Sequence, residues 1–234
     1  MRVWIVVMVQ TVFEVIALDA TDATAAQAGG ADRLELVADM ASDGLTPAPA
    51  TIREVLSATD LPVRVMLRDA TGFAPGDLAA LRRDAAAARE AGASEFVLGF
   101  LDAAGRVDEE VCAAVLAEIE GCAWTFHRAL DNSADPLASW PVVVGLGCDT
   151  VLAAGSPRGV ADGLPVLRDL AARQERDGVA VLVGGGLKLD QVAGLAAAGI
   201  TGFHVGGAVR PHGWSGPVAA AAVRTWADEV VNVG

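Results

Sequence analysis

Ala180-Val-Leu-Val-Gly-Gly-Gly-Leu-Lys-Leu-Asp-Gln-Val-Ala-Gly-Leu-Ala-Ala-Ala-Gly-Ile-Thr-Gly-Phe-His-Val205 reads as a short apolar strand, a glycine turn, an alanine-rich helix and a second short strand. Strands joined by a helix run parallel, because only antiparallel neighbours can be linked by a tight hairpin. The same unit recurs along the whole chain. Strand-like runs begin at Glu14 (within a stretch from about Phe13 to Leu18), Arg33, Val63, Glu95, Ala123, Thr150, Ala180 and Gly202. Helical stretches follow, starting near Asp19 to Thr21 and closing at Gly29-Gly30, then at Thr51 to Thr59, up to Gly92, Asp108 to Glu120, Pro136 to Leu146, Val160 to Gln174, Lys188 to Ala198 and Pro217 to Val231. Eight such repeats with few hairpin signals predict the α/β class and a single (β/α)8 TIM barrel rather than an open doubly wound sheet. In that barrel, binding and catalysis belong to residues just after the strands, at the C-terminal mouth.

The length fits one barrel: 234 residues against about 250 for the fold. Residues 13–234 are expected to form the domain. The apolar stretch 1–12, Met1-Arg-Val-Trp-Ile-Val-Val-Met-Val9 followed by polar Gln10 and Thr11, reads as an N-terminal extension. It is short for a signal peptide and lacks a convincing cleavage site. Lys plus Arg number 17 and Asp plus Glu 30, a net charge of −13. That acidity argues against nucleic acid and anionic membranes as partners. No apolar run is long enough to span a bilayer. Cys112, Cys122 and Cys148 form neither a CxxC nor an even framework, which suits a reducing cytoplasm and structural roles for the thiols.

The ends of the strands supply the candidates. Gly184-Gly185-Gly186 and Gly206-Gly207 follow the seventh and eighth runs, where barrels often bind phosphate through backbone N–H groups, although tight turns alone would also use glycine. His127-Arg128 follows the fifth run and suits anion binding or proton transfer, with the guanidinium lowering the imidazole pKa. Glu35, Arg68, His127 and His204 are expected to form one polar cluster, either handling a proton on an anionic substrate or serving as a structural ion network. Glu14 is expected to pair with Arg33 low in the barrel. Asp19 reads as a helix cap, Asp39 and Asp43 as loop, Asp102 as a turn residue and His212 as exposed. No metal ligands are assigned. An enzyme of lyase or isomerase type, acting on a small phosphorylated or carboxylated metabolite, is one reading of these groups. A non-catalytic binding module is another.

Several segments carry a resemblance: Ala28-Gly-Gly-Ala-Asp-Arg-Leu-Glu-Leu36, Asp43-Gly-Leu-Thr-Pro47, Trp124-Thr-Phe-His-Arg-Ala-Leu-Asp131, Leu146-Gly-Cys-Asp-Thr-Val-Leu152, and Val183-Gly-Gly-Gly186 with Phe203-His204. In this order, from about Phe13 to Val209, the chain resembles the CutC copper-homeostasis family. The resemblance implies a cytoplasmic TIM barrel, a homo-oligomer, a role in copper tolerance and copper(I) as ligand. Members of that family usually carry cysteine in the first strand and after the Glu-Leu of the second. Here those places hold Ile16, Ala17 and Val37, none of which offers the soft sulfur that copper(I) prefers. Met40 and Met66 read as packing. The loop after the third run, Arg68-Asp-Ala-Thr-Gly72, also departs from the family's Arg-Pro-Arg-Gly-Gly pattern. Copper(I) is therefore implied by resemblance alone.

Overall fold

The computed structural model describes residues 11–233. Residues 1–10 of the expected N-terminal extension lie outside the described part, and the first strand already begins at Val12. The strands are β1 (Val12–Ala17), β2 (Arg33–Leu36), β3 (Val63–Met66), β4 (Glu95–Leu98), β5 (Ala123–Phe126), β6 (Thr150–Ala153), β7 (Ala180–Val183) and β8 (Gly202–Val205). Each pairs in parallel with the next, and β8 returns to β1 through Val12↔Gly202 and Glu14↔His204, so the sheet is a closed barrel. The open doubly wound alternative is excluded by that closure.

The helices are α1 (Ala20–Gly29), α2 (Pro49–Ala58), α3 (Leu78–Glu90), α4 (Glu109–Leu116), α5 (Pro136–Gly145), α6 (Val160–Ala171), α7 (Gln174–Asp177), α8 (Val192–Ala196) and α9 (Ala220–Val233). Asp19 does cap α1, accepting the Asp22 N–H at 2.9 Å. Pro49 opens α2 at its first turn, two residues before the expected start, because its missing N–H is no loss there. The stretch expected as one helix to Gln174 stops at Ala171 and resumes as the single turn α7, which Gly178 ends in the left-handed region. The expected helix from Lys188 to Ala198 is shorter too. It opens with a 3-10 turn at Leu189–Gln191, leaving α8 five residues long.

Alternation along the strands divides the side chains between two environments. Leu34 and Leu36 join the large apolar core between sheet and helices, with Val65, Phe96, Phe126, Val181 and Phe203. Their neighbours Arg33 and Glu35 face the barrel interior. A smaller interior cluster of Ile16, Val37, Met66 and Val97 lies toward the mouth. Below it the interior is ionic: Arg64 reaches Glu95 at 3.0 Å, Asp149 at 2.7 Å and Thr125 at 2.5 Å. Cys112 and Cys148 are buried, and burial pushes both thiols up to about 12. They are inert packing groups. Helix α6 lies so close to the end of β6 that a Cβ at Gly163 would fall 1.8 Å from the Ala154 carbonyl oxygen. Among the described residues no helix is long and apolar enough to cross a membrane.

Candidate functional site

A cavity of about 670 Å³ opens at the C-terminal ends of the strands. Glu35, Arg68, His127, Arg128, Gly185, Gly186, His204, Gly206 and Gly207 all line it. Of the residues expected to bind or catalyse at the mouth, Gly184 alone lies outside the lining. It packs beneath His204, where a Cβ would approach the ring to 2.7 Å.

Beneath the floor, Glu14 is an almost fully buried carboxylate held by two strand neighbours. Arg33 contacts its Oε2 at 2.5 Å, the pairing expected from the sequence, and His204 Nδ1 meets its Oε1 at 2.8 Å. Burial alone would raise the Glu14 pKa, but Arg33 and His204 hold it down at about 2. With Nδ1 tied to a carboxylate, His204 directs Nε2 toward Glu35 Oε2, 3.9 Å away. Burial disfavours the imidazolium, yet the two carboxylates outweigh it and raise the His204 pKa. Glu35 differs from Glu14 in having no arginine in contact among the described residues. Burial pushes its carboxyl up to about 7, His204 opposing and the Glu14 charge adding to the rise. Its Oε1 is buried without a hydrogen-bond partner among the described residues.

His127 occupies another part of the wall. Its Nδ1 accepts the Ala129 N–H at 3.1 Å, so the neutral ring carries its proton on Nε2, which has no partner among the described residues. Burial first, then the Arg68 and Arg128 charges, depress its pKa to about 3. The ring is therefore neutral throughout the physiological range. Phe73 and Phe126 hold it edge-on.

Arg68 lines the same cavity as Glu35, His127 and His204 and makes no ion pair with Glu35 among the described residues. It donates to the carbonyls of Asp43, Gly44 and Gly72, bracing the loops after β2 and β3, with its guanidinium over Phe73. Burial of a cation without a contacting carboxylate lowers its pKa. Arg128, a third exposed, donates to Asp131 at 2.9 Å and lies across the glycine turn after β7. A Cβ on Gly185 would meet that guanidinium at 2.5 Å, and the residue's φ of +91° also favours glycine. The Gly185 and Gly186 N–H groups donate to no protein acceptor among the described residues. Trp214 stands over Gly206 and Gly207 with its ring beneath the Arg210 guanidinium. His212 is exposed, and Asp102 holds its turn by accepting from the Ala104 and Arg106 N–H groups.

Two supporting carboxylates were not assigned roles from the sequence. Asp131 is buried and accepts the N–H groups of Ala154 and Gly155, fixing the end of β6 while it positions Arg128. Its spacing of three from Arg128 was the available signal. Asp22, in the first turn of α1, forms a buried pair with Arg210 and accepts from the N–H groups of Leu18 and Val218. In sequence it is indistinguishable from an ordinary first-turn acid.

The raised Glu35 pKa has a consequence for stability. In the unfolded chain the carboxyl ionises near 4.5, and in the folded chain near 7. The stabilisation belonging to its proton is complete below pH 4.5 and is lost as pH rises through 7. Glu35→Gln removes that loss. Its melting temperature relative to the parent is expected to rise between pH 5 and pH 8, by the equivalent of roughly 1–3 kcal/mol. A difference that stays constant with pH would contradict an uncharged Glu35.

Comparison with known proteins bears on the whole barrel. A family model described as the CutC family matches residues 11–209. A human protein named copper homeostasis protein cutC homolog is 32% identical over 185 residues, 76% of this chain and 67% of that one. A CutC family protein of Pasteurella multocida is 32% identical over 186 residues, 78% of this chain and 76% of that one. A solved structure described as a copper homeostasis protein CutC from Streptococcus agalactiae superposes with a TM-score of 0.76 at 25% identity, covering 84% of this chain and 98% of that one.

Proposed function

Because the chain belongs to the CutC family, we propose that it serves copper homeostasis by binding a small anionic metabolite at the barrel mouth, and not by holding copper(I) there. The donor set carries this reading. Where the resemblance leads one to expect thiolates, Ile16 and Val37 pack with Met66 and Val97. None of the three cysteines lines the mouth. Glu35 and His204 in the lining, with Glu14 beneath them, offer oxygen and nitrogen, a poor match for a soft cation. Met40 and Met66 add two thioethers to the lining but no thiolate.

The same lining suits an anion. The free N–H groups of Gly185 and Gly186 point to a site for oxyanions beside the Arg128 guanidinium, and charge-assisted hydrogen bonds of this kind are the strong ones. In this reading the protein works in the cytoplasm, where its three free thiols remain reduced. It acts as a homo-oligomer, without nucleic acid or membrane partners.

Two titrations test it. Copper(I) offered under reducing conditions against a chromophoric chelator is expected to stay with the chelator. Inorganic phosphate at millimolar concentration is expected to raise the melting temperature, and Arg128→Ala to abolish most of that rise. Stoichiometric copper(I) capture, or a phosphate response unchanged in Arg128→Ala, would reject the reading.

A further inference from the structure

We propose that the mouth is also catalytic: Glu35 moves a proton at the carbon beside a carbonyl group in a small phosphorylated hydroxycarbonyl compound, while His127 donates a hydrogen bond to the carbonyl oxygen. This rests on the anion-binding reading above and adds a reaction to it.

Two orphaned atoms carry the argument. Among the described residues Glu35 Oε1 and His127 Nε2 are buried without partners, and both belong to residues that line one cavity. Glu35 is 3% exposed and His127 4%. A buried group left unpaired keeps the full cost of its desolvation; Arg210 Nε, beside Asp22, is also unpartnered among the described residues but lies outside the cavity lining. Of the two atoms in the cavity, one is a carboxylate oxygen, the other a neutral N–H. Together they fit a ligand that presents an acidic C–H to the first and an acceptor oxygen to the second. The anion subsite at Gly185, Gly186 and Arg128, on the rim of the same cavity, would hold the phosphoryl group.

Electrostatics separates the two roles. A carboxyl that titrates near neutrality can both take and return a proton. An imidazole that titrates near 3 stays uncharged and donates without protonating the product. Environments that push two groups apart in this way mark acid–base assignments. His204, pinned by Glu14 and facing Glu35 Oε2 at 3.9 Å, is a positioning residue that adjusts the basicity of Glu35.

In the step itself, the Glu35 carboxylate takes the proton from the hydroxyl-bearing carbon. The C–H electron pair becomes a carbon–carbon double bond, and the carbonyl π pair moves onto oxygen beside His127 Nε2–H. The proton then returns from Glu35 to the former carbonyl carbon, and the hydroxyl proton crosses to the new alkoxide oxygen. Aldehyde and ketone interconvert with no external oxidant or reductant.

Phosphoglycolohydroxamate, a planar mimic of the enediolate, and glycerol 3-phosphate, which has the phosphate but tetrahedral carbons, are titrated calorimetrically into the intact protein. The hydroxamate is expected to bind about 100-fold more tightly, the lower end for a transition-state mimic. In Glu35→Gln and His127→Gln the preference is expected to fall below about 10-fold, with glycerol 3-phosphate binding retained. In D2O, dihydroxyacetone phosphate is expected to acquire carbon-bound deuterium with the parent protein. It is expected to acquire none with Glu35→Gln or Glu35→Asp, each confirmed as folded by circular dichroism. Equal binding of the two compounds, or no deuterium uptake with the parent, overturns the catalytic proposal while leaving the anion site intact. Failure of both compounds to bind overturns the anion site as well.

Discussion

Asp22→Ala is expected to cost about 3–5 kcal/mol of folding stability, the penalty for leaving a buried charge without its partner. Asp22 and Arg210 are both almost wholly excluded from solvent, with side-chain exposures of 2% and 1%. The carboxylate ties together elements distant in sequence: the end of β1 through the Leu18 N–H, the turn before α9 through the Val218 N–H, and the segment after β8 through Arg210. Arg210 in turn donates to the Ile16 and Gly216 carbonyls. Removing the carboxylate strands the guanidinium and leaves the Leu18 and Val218 N–H groups unpaired. At about 2–4 °C per kcal/mol for a chain of this size, the melting temperature should drop by roughly 6–20 °C. Urea unfolding followed by circular dichroism measures the loss directly. The double variant Asp22→Ala/Arg210→Met is expected to recover a large part of it, since a neutral, well-packed replacement avoids the buried charge. A loss under about 1 kcal/mol, the scale of an exposed pair, would mean that the pair is solvated and the hub is not structural.

Gly163→Val is the second large effect expected. A Cβ at this position would lie 1.8 Å from the Ala154 carbonyl oxygen and 2.6 Å from the Gly155 carbonyl carbon. Both obstacles are backbone, so no rotamer change clears the space. Gly155 meets α6 from the other side with a φ of +77°, so the two glycines form one close seat between helix and strand end. The substitution must lift α6 away, at or above the about 1–3 kcal/mol typical of overpacking. The displacement should also reach the mouth. The Ala154 and Gly155 N–H groups hold Asp131, and Asp131 holds Arg128. The variant is therefore expected to melt lower and to lose part of the phosphate response. Gly163→Ala should show the same signs in smaller measure. A Gly163→Val protein as stable as its parent would show that α6 does not seat on β6 this way.

The strands were legible because their pattern is local. Arg33, Val63, Glu95, Ala123, Thr150, Ala180 and Gly202 each begin an observed strand, as expected from short apolar runs set between helical stretches and glycines. Helix ends were less so. Nothing between Lys188 and Ala198 forbids a longer helix, yet the first turn tightens and five residues remain. The location of the site followed from the fold, since strand ends in a barrel converge. Individual roles did not follow. Arg68 was expected in a polar cluster with Glu35 and the histidines; it lines their cavity, and its donations to carbonyl groups of two loops depend on how those loops close. Glu14 and Glu35 are alike as letters. The pairing of Glu14 with Arg33 was expected and is present, whereas the strongly raised pKa of Glu35 depends on burial and on its distance from that arginine, which the sequence does not display.

The contact between Glu14 and His204 spans 190 positions of the chain and joins the first strand to the last. A nascent polypeptide still on the ribosome therefore holds Glu35 without its imidazole neighbour, and Asp22 without its guanidinium, until β8 and the segment after it have emerged. The mouth is thus the last part of the barrel to be completed, because the contact between Glu14 and His204 forms only when the final strand joins the first.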